Sequence, residues 1–471
     1  MPPNKGTKST PVKVEKISDL TEENLTKIFQ EFFKDKTLSL EILKGQHNFL
    51  GKNDQFQSDI KKWEVKIRKN GEEKKLSFIA KTTTELTLQR WSTRLTRQFF
   101  TETFWYKYAL PVLKNDFPEL VHLSPSLYFA YSNYEDSFRP DYCDKSCGTF
   151  CRTLHHKDEV GILLLENACE ESRPDDSPTM VAVDKTKVMS PHQVTAALRT
   201  LAMFHGAWWV WLRRQKSKEV TEYVDTVMNL EDVENMFMKM RKQSPWFFKA
   251  SFIKYLKQYP KLLKHHGADE GLIERLKSTI KSKIFEDAKA LMDPEKEPSI
   301  LRTMIHGDFW VNNILFSSDN TEDPKQVATI LDYQVMALGH PARDIWYLIY
   351  SNTDKEFREK HLQTNLQEYF HGLSKYLQME NIQMSFETFK EEITRLKVPV
   401  ALLLSTIIQF IALTPEPVSL FDSMDAIKHF QATFIKQVGS CPQESDDPMV
   451  KEIRRRMIGM LYELDSEGLF N

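Results

Sequence analysis

Residues 301–316 read LRTMIHGDFWVNNILF, and residues 328–334 read ATILDYQ. Together they hold a short apolar run, a polar loop carrying Asp308, an Asn five residues later at Asn313, a second apolar run from Ile314 to Phe316, and a third that stops at Asp332. Runs this short, separated by polar turns, predict buried strands. Phosphoryl transfer is the chemistry that explains this order. One carboxylate must orient an acceptor hydroxyl and take its proton, while another carboxylate and an amide oxygen hold Mg2+ against the phosphates of ATP. Asp308 suits the first task, and Asn313 and Asp332 suit the second. The same Asp-to-Asn step occurs in the catalytic loop of protein kinases, but the His-Gly-Asp and Asp-Tyr-Gln forms here depart from theirs and point to a small-molecule branch.

Working toward the N-terminus, the mechanism needs a cation on the phosphates, and Lys81 closes the strand-like run LSFIAK at residues 76–81. Glu102, inside an aromatic helix read over roughly 88–110, is the candidate to pair with it. The phosphate-covering loop is weakly signalled: GQHNFLG at 45–51 lacks a full G-x-G-x-x-G pattern. Ser58 is included as a candidate phosphate contact. A helix is expected over 21–33, alternating strands at 38–42, 63–67 and 76–80 with an Asn70-Gly71 turn between the last two, and further strands at 127–131 and 162–165. This makes a small antiparallel sheet with one main helix.

From Ser190 the pattern turns helical. An N-cap Ser, a Pro at the first helical position and Gln193 placed for a capping box open a long helix whose apolar face includes Leu198, Leu201, His205, Trp208 and Leu212. Helical periodicity continues through most of 228–294 and again from 355 onward. The fold class is therefore α+β. With 471 residues the chain has room for two substantial lobes.

Composition narrows the partners. Lys and Arg total 64 against 66 Asp and Glu, a formal net charge of −2, which gives no global attraction to nucleic acid or to an anionic membrane. The most apolar stretch, 398–413, is shorter than the about 20 residues that span a bilayer and is interrupted by Ser405, Thr406 and Gln409. It reads as a buried core helix. Five cysteines in so long a chain argue for reduced thiols and a cytoplasmic setting. Cys143, Cys147, Cys151 and His155 recur every four residues, but on one helix that spacing would set them in a line, not around a tetrahedral metal. No oligomeric state is read from the sequence.

The strings HGDFWVNN (306–313) and DYQ (332–334), with LLLEN (163–167), LAMFH (201–205) and PARDI (341–345), resemble the ecdysteroid kinase-like (CHK kinase-like) family, relatives of choline kinases and aminoglycoside phosphotransferases. The resemblance runs from about residue 40 to the C-terminus. Residues 1–19 lack the apolar core of a signal peptide and read as a disordered leader. The resemblance implies a bilobed protein-kinase-like fold, with a sheet-bearing N-terminal lobe over 20–166 and a mainly helical C-terminal lobe over 167–471. It also implies ATP and Mg2+ as cofactors, a hinge at Glu166, Asn167 and Ala168 whose backbone meets adenine, and an Asp344 that braces the catalytic loop. A small-molecule alcohol is the implied acceptor, a polyhydroxylated steroid being the one the family suggests. The chain departs from the family in having Tyr333 where Phe is usual, Asn167 where Asp is usual, and Thr82 to Thr84 after the lysine.

Each residue also has a plainer reading. Asn313 alone could be a turn residue, Glu102 a solvated helix residue, and His205 a hydrogen-bonded core histidine. The tryptophans at 208, 209 and 211 read as packing, and His306 as a residue that fixes loop geometry. The ordered set of Lys81, Glu102, Asp308, Asn313 and Asp332 argues against coincidence. The alternatives are a kinase for choline, a sugar or a xenobiotic alcohol, and a nucleotide-binding scaffold without catalysis. A protein-kinase role is disfavoured because residues 338–344 follow Asp332 with no activation segment. Acceptor specificity is expected to lie within 213–300 and 355–440, where no motif speaks.

Overall fold

The computed structural model describes residues 14–48, 58–83, 98–132, 160–170, 178–214, 221, 256–282, 284, 299–405 and 448–470. Helix α1 (Glu22–Phe32) begins where the Thr21 hydroxyl accepts the Asn24 N–H at 3.2 Å, with Glu22 and Glu23 in the first turn, where the helix dipole favours acid. Strands β1 (Ser39–Asn48), β2 (Ser58–Lys69) and β3 (Glu72–Thr83) form an antiparallel meander. Lys69 pairs directly with Glu72 across Asn70 and Gly71, whose φ angles are 53° and 85°, so the turn is a tight two-residue one despite its polar flanks. Trp63, Val65 and Ile67 of β2 and Leu76, Phe78 and Ala80 of β3 pack with Leu25, Ile28 and Phe29 of α1. The alternation of a strand then assigns Ile60, Lys62, Ile79 and Lys81 to the opposite face.

After β3 come α2 (Gln98–Phe104), a π-helical turn at Trp105–Ala109, and α3 (Leu110–Asp116). The helix expected over 88–110 is thus present from Gln98 onward and runs further than expected; residues 88–97 lie outside the described residues. Strands β4 (Leu127–Ser132) and β5 (Gly161–Glu166) complete a five-stranded sheet in the order β1-β2-β3-β5-β4. Leu163 and Leu165 of β5 join the core shared with α2 and the helical lobe, while Ile162 and Leu164 join the core under α1. The sheet is therefore covered on both faces.

Two expectations are corrected here. The leader does not extend to residue 19: Val14 is fully buried in the α1 core, and Asp19 accepts the N–H groups of Glu15 and Lys16 to close a 3-10 turn at Ile17–Asp19. Gly45 lies in a strand and not in a loop: it is within β1, where a Cβ would come 2.8 Å from the Trp63 ring, so close packing accounts for the glycine. Residues 49–51, like Cys143, Cys147, Cys151, His155 and Cys441, lie outside the described residues.

The helical lobe opens with α4 (Pro191–Arg214). Its capping box is complete: Gln193 N–H donates to Ser190 Oγ at 3.2 Å, and Ser190 N–H donates to Gln193 Oε1 at 2.9 Å. Helices α5 (Gln258–His265) and α6 (Glu270–Ser282) follow. Two short ribbons then hold the signature region: β6 (Thr303–Ile305) pairs with β9 (Ala337–Gly339), and β7 (Ile314–Phe316) with β8 (Ala328–Ile330). The lobe closes with α7 (Ala342–Asn352), α8 (Lys355–Met379), α9 (Phe386–Thr394) and α10 (Pro448–Ser466). Of the stretch read as a core helix over 398–413, Val398, Val400, Ala401 and Leu402 are buried in helical turns that include a π-helical segment at Val400–Ser405, and residues 406–413 lie outside the described residues. Among the described residues no helix is long and apolar enough to cross a membrane.

A buried charge cluster ties α10 to the rest of the lobe. Glu463 accepts from Arg358 Nε at 2.7 Å and from the Tyr350 hydroxyl at 2.9 Å, and Lys397 reaches Glu467 at 2.5 Å and Glu463 at 3.7 Å. Removing one member of a buried pair leaves its partner charged and unpaired. Glu463→Ala should therefore cost about 3–5 kcal/mol, read as a fall in the urea midpoint. A midpoint unchanged from the native protein would show that the cluster contributes no net stability.

Candidate active site

The register of β3 places Lys81 opposite Ile60 of β2 and Leu163 of β5, in the middle of the sheet and on the face turned to the helical lobe. Its Nζ lies 2.6 Å from Glu102 Oε2 on α2 and 2.7 Å from Asp332 Oδ1. The pairing expected of Glu102 is thus made. Burial alone would favour the neutral amine, but Asp332 and Glu102 outweigh it and hold the Lys81 proton far above the usual lysine range. The Glu102 carboxyl is pushed up by its own burial and by Asp332, against the pull of Lys81. One cation thus serves two carboxylates.

Asp332 has φ of 61°, a left-handed conformation that Asp tolerates better than most residues. The Gln334 amide donates to its Oδ2 at 3.1 Å. The next residue, Tyr333, is fully buried and stacks on Trp105 with ring centroids 4.3 Å apart, while the Ser124 hydroxyl donates to its phenolic oxygen at 2.7 Å. Tyr in place of Phe is therefore accommodated by a specific partner.

Asp308 follows β6 in a loop held from three sides. Gly307 has φ of +85°, and a Cβ there would come 2.5 Å from the Val335 carbonyl, so only glycine fits. His306 N–H donates to Asp344 Oδ2 at 2.6 Å, and Gly307 N–H to Oδ1 at 2.8 Å. The His306 ring completes the brace: Asp308 N–H lies 3.3 Å from its Nδ1, and its Nε2 lies 2.9 Å from the Leu331 carbonyl. These contacts fit a neutral ring protonated on Nε2. His306 thereby joins the Asp308 loop to the residue before Asp332.

Asn313 Nδ2 donates to the Asp308 carbonyl at 2.8 Å and to its Oδ2 at 2.9 Å, and the Tyr347 hydroxyl of α7 donates to Oδ1 at 2.9 Å. Burial pushes the Asp308 carboxyl up and the charge of Asp332 adds to this, with the Tyr347 and Asn313 hydrogen bonds opposing. With Nδ2 engaged, the Asn313 amide oxygen accepts no hydrogen bond among the described residues. Asp332 and Asn313 therefore offer hard oxygen donors of the kind Mg2+ takes, and the nearby carboxylates outnumber Lys81. Among the described residues no group of three or more His, Cys, Asp or Glu could hold a metal by itself.

At the junction of the lobes, Glu166 accepts the Ser126 N–H on Oε2 at 3.0 Å. Asn167 Nδ2 donates to Ser77 Oγ at 3.0 Å, and its Oδ1 accepts the Cys169 N–H at 3.2 Å. These contacts engage both side chains with the protein. The Ala168 carbonyl accepts the Met180 N–H at 2.8 Å. Beside this segment lies a small apolar cluster of Ala168, Met180 and Leu315, with Cys169 and Leu331 at its edge. Ser58 opens β2 opposite Thr83, and its side chain lies outside the described residues.

The model of the ecdysteroid kinase-like family matches residues 52–382. The chain belongs to that family. Membership makes it a phosphotransferase of small-molecule kinase type, with the kinase-like fold described above. Among solved structures, the microcompartment-associated aminopropanol kinase is 12% identical with a TM-score of 0.38, covering 94% of this chain and 99% of that one. An ethanolamine kinase from Plasmodium vivax is 10% identical with a TM-score of 0.35, covering 88% and 83%. No curated protein matches the sequence.

Sequence reasoning missed Tyr347, Ser124, Met180 and Leu315 as parts of the site. Leu315 was within reach, because it sits two residues past Asn313 in the same signature string. The others join the site through contacts distant in sequence. Removing the Tyr347 hydroxyl deletes a donor that lowers the Asp308 pKa, so that pKa rises further and the ionised form is lost at higher pH. Tyr347→Phe should accordingly move the acid limb of the kcat profile upward, as measured by a pH–rate series. A limb that stays in place would show that Tyr347 does not set the ionisation of Asp308.

Proposed function

We propose that this protein transfers the γ-phosphate of ATP to a hydroxyl of a small organic acceptor. The observation that carries the reading is Lys81 held between Glu102 and Asp332, with the Asp308–Asn313 pair on the adjoining loop. In this reading Lys81 grips nucleotide phosphates and Glu102 keeps its side chain extended toward them. The Ala168 N–H faces the purine edge, and Leu315 with Met180 forms the apolar floor beneath the ring. Asp332 and Asn313 would hold Mg2+, which when bound neutralises charge on the phosphates.

Asp308 then orients the acceptor hydroxyl and takes its proton as the oxygen attacks phosphorus. Tyr347 and Asn313 fix both of its oxygens, so the carboxylate cannot rotate away. Positioning of this kind is most of what an enzyme supplies to phosphoryl transfer. The family name makes a polyhydroxylated steroid the first acceptor to try, with choline and sugar alcohols as the contrast. A nucleotide-binding scaffold would need neither a braced base nor the metal donors beside it.

The test is mass spectrometry of ecdysteroids, other hydroxylated steroids, choline and sugars after incubation with Mg-ATP. The native protein should add a phosphate to at least one acceptor, and Asp308→Asn should reduce the rate by a factor on the order of a thousand while ATP binding persists. ATP bound without transfer to any acceptor would favour the scaffold. Equal rates for both proteins would remove Asp308 from the mechanism.

A further inference from the structure

The steps above give Arg343 no task. It occupies the first turn of α7, one residue before Asp344, and is only 7% exposed. Its Nη2 donates to the Gly307 carbonyl at 3.2 Å, and Tyr347, one turn further along α7, donates to Asp308. The helix thus presents Arg343 and Tyr347 side by side to the loop that carries the base. Asp344, its neighbour in sequence, is turned the other way, toward His205 and the loop N–H groups. Burial pushes the proton affinity of the guanidinium down, and Asp344, Tyr347 and Asp308 oppose this without cancelling it.

A guanidinium carries more N–H donors than one carbonyl can accept. The Arg343 Nε is buried and has no hydrogen-bond partner. Among the described residues Nη1 donates to no protein atom and no carboxylate lies within ion-pair distance of this side chain, and Nη1, unlike Nε, is not sealed from solvent. A bracing role at Gly307 needs only one of the guanidinium donors. Nη1 shares its carbon with the Nη2 that bonds Gly307, so this open donor lies beside the loop of the base, where an acceptor molecule would present its reacting hydroxyl.

We propose that Arg343 is a specificity-determining residue of the acceptor site. Its Nη1 N–H groups receive an oxygen lone pair that neighbours the reacting hydroxyl, as in a vicinal diol, a hydroxy ketone or a hydroxy acid. The same positive charge excludes an ammonium group from that position, since two cations in a partly desolvated cleft repel strongly. The preferred acceptor is thus an oxygen-rich alcohol and not an amino alcohol. The inference rests on the kinase reading and narrows its substrate class.

The experiment compares steady-state phosphorylation of a vicinal-diol steroid, choline and ethanolamine by the native protein, Arg343→Gln and Arg343→Lys. Mg-ATP affinity is measured by calorimetry on each protein. The native protein should use the diol and ignore both ammonium alcohols. Arg343→Gln should raise KM for the diol by about tenfold or more with little change in kcat or Mg-ATP affinity, and Arg343→Lys should recover part of the loss. Should Arg343→Gln fail to fold, the smaller rise in KM for Arg343→Lys carries the test. A fall in kcat with KM unchanged would show that the guanidinium only braces Gly307 and overturn the proposal, as would native preference for choline or ethanolamine. Failure of the native protein to bind Mg-ATP would instead overturn the kinase reading itself.

Discussion

A carboxylate buried as deeply as Asp344 is tolerated only when nearby donors replace the water it has lost. Three do so: the N–H groups of His306 and Gly307, and Nε2 of His205 at 3.1 Å. Burial would raise the Asp344 carboxyl, yet the His205 and Gly307 hydrogen bonds win and hold it below the usual carboxylate range. His205 is itself fixed from α8 by the Tyr369 hydroxyl, 2.7 Å from Nδ1, and its burial keeps the ring neutral by lowering its proton affinity. The loop bearing Asp308 therefore takes its shape from α4, α7 and α8 together. His205 and Asp344 are both fully buried beneath it.

From this anchor the constraint passes to the sheet. His306 reaches the Leu331 carbonyl, which fixes the turn bearing Asp332, and Tyr333 packs against Trp105 in the π-helical turn that directly follows the helix of Glu102. Lys81 closes the circuit by contacting Asp332 and Glu102 at once. Residues from four separate elements are thereby placed before any ligand arrives. Charge arranged in advance in this way needs no reorganisation during reaction, which is the usual source of electrostatic catalysis.

What could be read from the sequence was mostly local. Alternation in β2 and β3, the Asn70-Gly71 turn and the Ser190 capping box each depend on neighbours within a few residues. The spacing of Asp308 and Asn313 is equally local, and Asn313 and Asp332 flank one short ribbon, β7 with β8. Val14 was misread as part of a leader because Val12, Val14 and Ile17 are too few to set a clear period among polar residues, and only its contact with the α1 core decides its burial. Gly45 was read into a loop because glycine serves a turn and a close approach to Trp63 equally well. Tyr347 and Arg343 gave no signal of their own: on a helix buried on every side, periodicity does not distinguish the face that meets the catalytic loop from those that meet the core.

Calorimetric titration of ATP, with and without Mg2+, into the native protein, Lys81→Met and Asp332→Asn is the most direct test that these groups form one metal-nucleotide site. Binding should be tight and Mg2+-dependent in the native protein, weaker in Lys81→Met, and indifferent to Mg2+ in Asp332→Asn. No binding to the native protein, or binding that responds neither to Mg2+ nor to either substitution, would contradict it.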